Sequence, residues 1–129
     1  MIVADASAVL GVLLNPPAAA EIARLLFADG ESIHVPHLID LEVLQVLRRY
    51  ARSDMSSARA EKALQIYGGM ALNRYSHTIL AARIWELRHN WTAYDAAYIA
   101  LAEALDAPLI TRDRALASGS RHRARVLVL

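Results

Sequence analysis

Cysteine is absent from this 129-residue chain, and lysine nearly so, Lys62 being the only one. A domain of this length buries roughly two-thirds of the surface its unfolded chain exposes, so its core needs no disulfides. The lack of thiols also suits a cytoplasmic protein. Hydrophobic residues make up 56% of the sequence, yet no unbroken apolar run approaches the ~20 residues that cross a bilayer, and no membrane span is expected. The N-terminus lacks the basic stretch of a secretory signal, and Asp5 interrupts its first apolar run, so the chain is expected to remain in the cytoplasm. Net charge is only +1, which leaves the molecule without a general attraction for nucleic acid; any such contact must come from local patches. The cations are almost all arginine, whose planar fork suits phosphate and carboxylate, although GC-rich coding produces the same bias.

Strand-like and helix-like patterns alternate along the whole sequence. Met1 to Ala4 is a short apolar run of the kind a buried parallel strand has, ending abruptly at Asp5. Helical spacing follows over Ser7 to Leu14 and over Pro17 to Asp29, the second with Pro16 and Pro17 at its start and Gly30 past its end. Ser32 to Val35 reads as a strand closed by Pro36. From His37 to Arg52 apolar residues wrap most of a helix, which predicts packing on two sides, against the sheet and against a second subunit. Ser56 to Tyr67 is a helix stopped by Gly68 and Gly69, and Ala71 to Tyr75 a strand. Helices over Thr78 to His89 and Ala93 to Leu105, then strands over Pro108 to Thr111 and Arg125 to Leu129, complete the chain. The alternation predicts one α/β domain over residues 1–129: a central, mainly parallel sheet of four or five strands between two helical layers.

In open α/β sheets the ligand site lies beyond the carboxyl ends of the strands. Asp5 and Asp113 both follow a predicted strand there, and Ser7 and Thr111 are placed to hydrogen-bond the carboxylates or a metal's water shell. Glu42 and Asp95 lie on helices, where an acid ordinarily pairs with a cation three or four positions away. Neither does: Leu38, Ile39, Gln45 and Val46 flank Glu42, while Trp91, Thr92, Tyr98 and Ile99 flank Asp95. Glu21 and Glu86, by contrast, have Arg24 and Arg83 at helical spacing and read as solvated decoration. Carboxylates among apolar neighbours are costly unless another charge compensates them. A divalent cation supplies that charge, and an all-oxygen donor set favours Mg²⁺ or Mn²⁺ over Zn²⁺. One ion or two satisfy this pattern equally.

Simpler roles compete at three of the four positions. Asp5 and Asp113 suit the caps of following helices, and Thr92-Ala93-Tyr94-Asp95 is a variant capping box. Glu42 has no such alternative.

The opening Met1-Ile-Val-Ala-Asp5-Ala-Ser7, the helix carrying Asp40-Leu-Glu42-Val-Leu, the segment Tyr94-Asp95-Ala-Ala-Tyr-Ile-Ala-Leu-Ala-Glu103 and the run Pro108-Leu-Ile-Thr111-Arg-Asp113 together resemble the PIN-domain family, and within it the VapC branch. Each motif alone is common; four in this order across nearly the whole chain are specific. The resemblance implies a Mg²⁺- or Mn²⁺-dependent endoribonuclease with Asp5, Glu42, Asp95 and Asp113 as catalytic, metal-binding acids. The family's fourth acid varies in role, so Asp113 is expected to reach the metal directly or through water. A homodimer, an RNA substrate and inhibition by a cognate antitoxin covering the groove are likewise implied.

Arg112 and Arg114 flank Asp113 and are candidates to contact RNA or the antitoxin. Arg48, Arg49 and Arg52 suit a helix C-terminus, and the basic run Arg121 to Arg125 a solvated face. His34 and His37 have a metal-like spacing but no third ligand, which favours structural or surface roles. Trp85, Trp91, Tyr94 and Tyr98 are spaced as core or subunit-interface residues. A haloacid-dehalogenase-type phosphatase would need an acid where Ser7 stands and a lysine in the last third of the chain; a receiver domain fails the same lysine test. A non-catalytic binding module of the same fold is the remaining alternative.

Overall fold

The computed structural model describes residues 1–14, 17, 19–53, 56–118 and 121–129. Five short strands form one sheet: β1 (Ile2–Ala4), β2 (Ile33–Pro36), β3 (Leu72–Tyr75), β4 (Leu109–Thr111) and β5 (Val126–Val128). Their order is β3-β2-β1-β4-β5 and every neighbouring pair is parallel. All residues of β1, β2 and β4 are buried, as continuous apolar strands covered on both faces must be. The chain runs outward from the central β1 to β2 and β3, then crosses back to place β4 on the other flank of β1. That reversal makes the carboxyl ends of β1 and β4 the topological switch point of the sheet, where a crevice opens.

Seven helices are found among the described residues: α1 (Ala6–Leu14), α2 (Ala20–Leu26), α3 (Ile39–Ser53), α4 (Ser57–Gly68), α5 (Ala81–Glu86), α6 (Ala93–Leu105) and α7 (Arg114–Ser118). α1 packs with α2, α3 and α4, while α6 lies against β1, β2 and β4 with α5 beside it. The three-layer α/β architecture is therefore the expected one. α6 is buried continuously from Ala96 to Ala102, and its alanines let it lie close to the sheet. It ends at Asp106, whose φ of 48° is a left-handed cap made without glycine.

α3 is one-sided. Ile39, Val43 and Leu47, at i, i+4 and i+8, are buried, while Leu41 is 73% and Leu44 43% exposed. Its buried face packs mainly with α4 and α1, where the apolar wrap had predicted the sheet, and a second apolar face is left in solvent. Among the aromatics, Tyr98 is in the core and Trp91 half-buried, but Trp85 and Tyr94 stand out at 67% and 63% exposure. Neither of those two is a core residue.

Two helices are shorter than their patterns predict. The segment expected as one helix over Thr78 to His89 is a 3-10 turn over His77–Leu80 followed by α5. Ser76 starts it early by accepting from Thr78 N–H, and it ends where the Leu87 carbonyl takes the amides of both Asn90 and Trp91. α2 spans Ala20–Leu26 and not Pro17 to Asp29: Ala19 offers no side-chain cap, and the chain turns after Phe27 through Gly30, at φ 77°. Pro16 and Ala18, within that predicted start, lie outside the described residues. His34 is buried in β2, bonded to Ser32 Oγ and Tyr75 Oη, and His37 is exposed. Among the described residues no helix is long and apolar enough to cross a membrane.

Of the two helix-surface ion pairs expected, Arg83–Glu86 forms at 2.8 Å, whereas Glu21 and Arg24 make none. Arg83 is more than decoration. Its fork also grips Glu103 of α6 through Nε (2.7 Å) and Nη2 (3.1 Å), and the Glu103 side chain is only 5% exposed. Burial would raise the Glu103 pKa, but Arg83 and the Arg123 amide hold it below the ordinary value. A depressed carboxyl contributes stability above its unfolded pKa and loses it as pH falls through the folded one. Arg83→Ala should therefore cost about 2 kcal/mol in urea unfolding at pH 7, less than for a fully buried pair because the arginine is partly exposed. The deficit should shrink as pH drops below the ordinary glutamate range, and Glu103→Gln in the same chain should recover part of it.

Candidate active site

Asp5 is the first residue after β1, and the switch point gives its carboxylate a dense set of donors. Oδ1 accepts from Ser7 Oγ (2.7 Å) and Ala8 N–H (2.9 Å), and Oδ2 accepts from Thr111 Oγ1 across the gap between β1 and β4. Each hydroxyl has one proton and spends it on Asp5, so each accepts in return. Ser7 Oγ takes the Arg112 N–H (2.8 Å) and Thr111 Oγ1 the Asp113 N–H (2.9 Å). Five residues from two chain segments are thereby locked around one acid. The Ala8 bond is also a helix cap, so capping and lining the crevice are the same arrangement at this position.

Glu42 reaches the crevice from α3 and Asp95 from the first turn of α6. Glu42 Oε2 accepts from Tyr98 Oη at 2.5 Å. Asp95 N–H donates to Thr92 Oγ1 (3.1 Å), and that hydroxyl donates back to Asp95 Oδ2 (2.9 Å), a cap that closes on the side chain of Thr92. Asp113 follows β4, is exposed, and caps α7 through Oδ1 and Ala115 N–H (2.8 Å). All four acids, with Ser7, line a single open groove of about 580 Å³. Its other wall is apolar: Leu10, Leu38, Leu41, Val46 and Tyr94. Arg112 and Arg114 are exposed beside the groove and line none of it.

None of the four acids has an ion pair among the described residues. Burial raises the pKa of Asp5, and its hydrogen bonds only partly offset this. Burial likewise raises Glu42, Tyr98 opposes it, and the nearby charges of Asp5 and Asp95 push it up further. These are anions crowded without a counter-charge.

A divalent ion fits this donor set in kind. The donors are all oxygens, and Glu42 Oε1, Asp95 Oδ1 and Asp113 Oδ2 have no partner among the described residues. Asp5 retains one unused acceptor direction on Oδ2. As the side chains stand, however, no three acidic, His or Cys groups among the described residues are close enough to hold an ion together. Tyr98 and Thr92 are what hold Glu42 and Asp95 in place. Tyr98 is the participant that sequence reasoning misses: its spacing marks it as core, which it is, and nothing local reveals that its hydroxyl ends on Glu42, 56 residues away.

The sequence profile of the PIN domain matches residues 2–120. The chain is 45% identical to the VapC ribonuclease Mb0985 of Mycobacterium bovis, over all of this chain and 98% of that one. It shares the same identity and coverage with ribonuclease VapC9 of Mycobacterium tuberculosis. Among solved structures, a toxin-antitoxin complex from Klebsiella pneumoniae superposes with a TM-score of 0.66 at 17% identity, covering 92% of both chains. VapC20 of Mycobacterium tuberculosis, described as a Sarcin-Ricin loop cleaving toxin, superposes at 0.61 with 17% identity, covering 95% of this chain and 99% of that one. The parallel five-stranded sheet, the acid-lined switch point and the full-length identity agree: the chain belongs to the PIN-domain family, in the VapC ribonuclease branch of toxin-antitoxin systems.

Proposed function

We propose that this protein is a Mg²⁺- or Mn²⁺-dependent endoribonuclease that hydrolyses RNA phosphodiesters at Asp5, Glu42, Asp95 and Asp113. It acts in the cytoplasm as a single domain, the toxin of a pair. The observation that carries this reading is that four acids without an ion pair among the described residues line one groove and keep oxygens uncommitted. Asp5, Glu42 and Asp95 would hold the metal; Asp113, tied to the α7 cap, would hold it directly or through water. When bound, the ion polarises the scissile phosphate and lowers the pKa of its water. The chain's own groups do the rest. Ser7 and Thr111 orient Asp5, and Tyr98 holds Glu42 at the groove wall.

Partners follow from the same surfaces. The apolar wall of the groove suits a segment of the cognate antitoxin, in keeping with relatives solved as toxin-antitoxin complexes. The exposed Leu44 of α3, outside the groove, suits a second copy in a homodimer. A catalytically silent RNA- or protein-binding module is favoured by one fact, the failure of three acids to converge as placed, and the next experiments separate the two.

Thermal melts with Mg²⁺ or with EDTA should show the wild type stabilised by the ion, by about 2.7 kcal/mol at a hundred times its Kd. Asp5→Asn and Glu42→Gln should gain far less and lose RNA cleavage by about 100-fold or more; equal gains in all three proteins favour the silent module. The raised pKa values fix the sign of the pH dependence. A raised carboxyl adds stability below its unfolded pKa and loses it as pH rises through the folded one. In EDTA, Glu42→Gln should thus melt about 2–4 °C above wild type near pH 7, and the advantage should vanish towards pH 4. Because the ion needs the ionised form, Mg²⁺ binding should weaken on acidification at a higher pH than free carboxylates titrate. Tyr98→Phe removes the donor to Glu42, so it should move that acid limb upward and cost about 1 kcal/mol of stability.

A further inference from the structure

Gly11 lies in α1 one helical turn beyond Ser7, on the same side of the helix. A Cβ built there would sit 2.9 Å from Cδ and 3.2 Å from Nη1 of Arg112. The arginine therefore lies along the bare backbone of α1, its Cδ and one edge of its guanidinium in the space a side chain would fill. Its other end is anchored as well. The Arg112 amide donates to Ser7 Oγ, the hydroxyl that holds Asp5.

The guanidinium so placed has no ion pair, hydrogen bond or ring contact among the described residues. An arginine laid against a helix backbone with its guanidinium unbonded among the described residues is a cation held in readiness, with less conformational freedom left to lose on binding. Arg114 on α7 has no comparable seat, and Arg49 rests over Tyr50. Glycine weakens a helix interior relative to alanine, so what it supplies at position 11 is the close approach of Arg112.

The position says which anion would use this head. A strand of RNA entering the groove brings several phosphates to a wall of carboxylates, and an ion bound by those acids neutralises only the reacting one. We propose that Arg112, seated on Gly11, binds the phosphate adjoining the one that is cut, with Gly11 as a positioning residue for it. This rests on the ribonuclease reading above.

The test is Mg²⁺-dependent cleavage of a labelled single-stranded RNA dodecamer spanning a bond that the wild type cuts, measured across a salt series. Arg112→Ala should raise KM about tenfold with kcat within about twofold, the loss expected for one charged contact. The slope of log affinity against log salt should become shallower by about 0.7, one phosphate's worth for a single strand. Gly11→Ala should move KM and slope the same way while its Tm holds or rises, and should add nothing in the Arg112→Ala background. Arg112→Lys should restore the salt slope more than KM.

Cleavage by Arg112→Ala with unchanged KM and slope overturns the proposal and leaves the ribonuclease reading standing. An Arg112→Ala effect without a Gly11→Ala effect overturns the seat. Unchanged RNA kinetics combined with weakened inhibition by a co-purified antitoxin assigns the cation to a protein carboxylate and overturns the RNA contact. A wild type that cuts no RNA with Mg²⁺ overturns the function and this inference together.

Discussion

Burial of carboxylates at the end of β1, with their like charges adding to its cost at Glu42, is the constraint around which this molecule is arranged. Asp5 is buried, Glu42 is half-buried, and each has its pKa raised, with Asp5 and Asp95 adding to the burden on Glu42. A fold left to maximise stability would put apolar groups or an arginine there. Instead the chain spends local structure on holding these acids. Ser7 and Thr111 both give their protons to Asp5, and a tyrosine hydroxyl is buried to reach Glu42.

Sheet topology makes that concentration of charge feasible. With β1 at the centre and β2 and β4 on opposite flanks, the loops after β1 and β4 diverge above the sheet, and neither has to cross the crevice. α3 and α6 then approach from either layer, each delivering an acid from its first turn, where helix dipoles favour negative charge. The Arg83–Glu103 fork anchors the far end of α6.

Much of this was legible in the residues, because strand and helix leave different periodicities. The short apolar runs ending at Asp5 and Thr111 marked β1 and β4, and the acids at their ends marked the crevice. The isolation of Glu42 and Asp95 from any i±4 cation was equally visible, and in the structure they have none. What the residues could not reveal is whatever depends on partners far along the chain. The 3-10 start of the 77–86 segment is decided by the Ser76 cap, α2 is cut short by the turn after Phe27, and Trp85 and Tyr94 are solvent-facing although their spacing matches a core face. The Tyr98–Glu42 bond and the Gly11 seat of Arg112 join residues 56 and about 100 positions apart. Capping had looked like a rival to chemistry at Asp5, Asp95 and Asp113. In the structure Asp5 and Asp113 each accept a first-turn amide and also line the groove, whereas at Asp95 the cap is Thr92, whose hydroxyl Asp95 accepts.

Crystals grown with Mn²⁺ and measured at its absorption edge address the central claim most directly, since the anomalous signal locates the ion without reference to activity. The account requires a peak within bonding distance of Asp5, with Glu42 turned from the Tyr98 hydroxyl towards it. A groove without manganese at millimolar concentration, Glu42 still hydrogen-bonded to Tyr98, would contradict it.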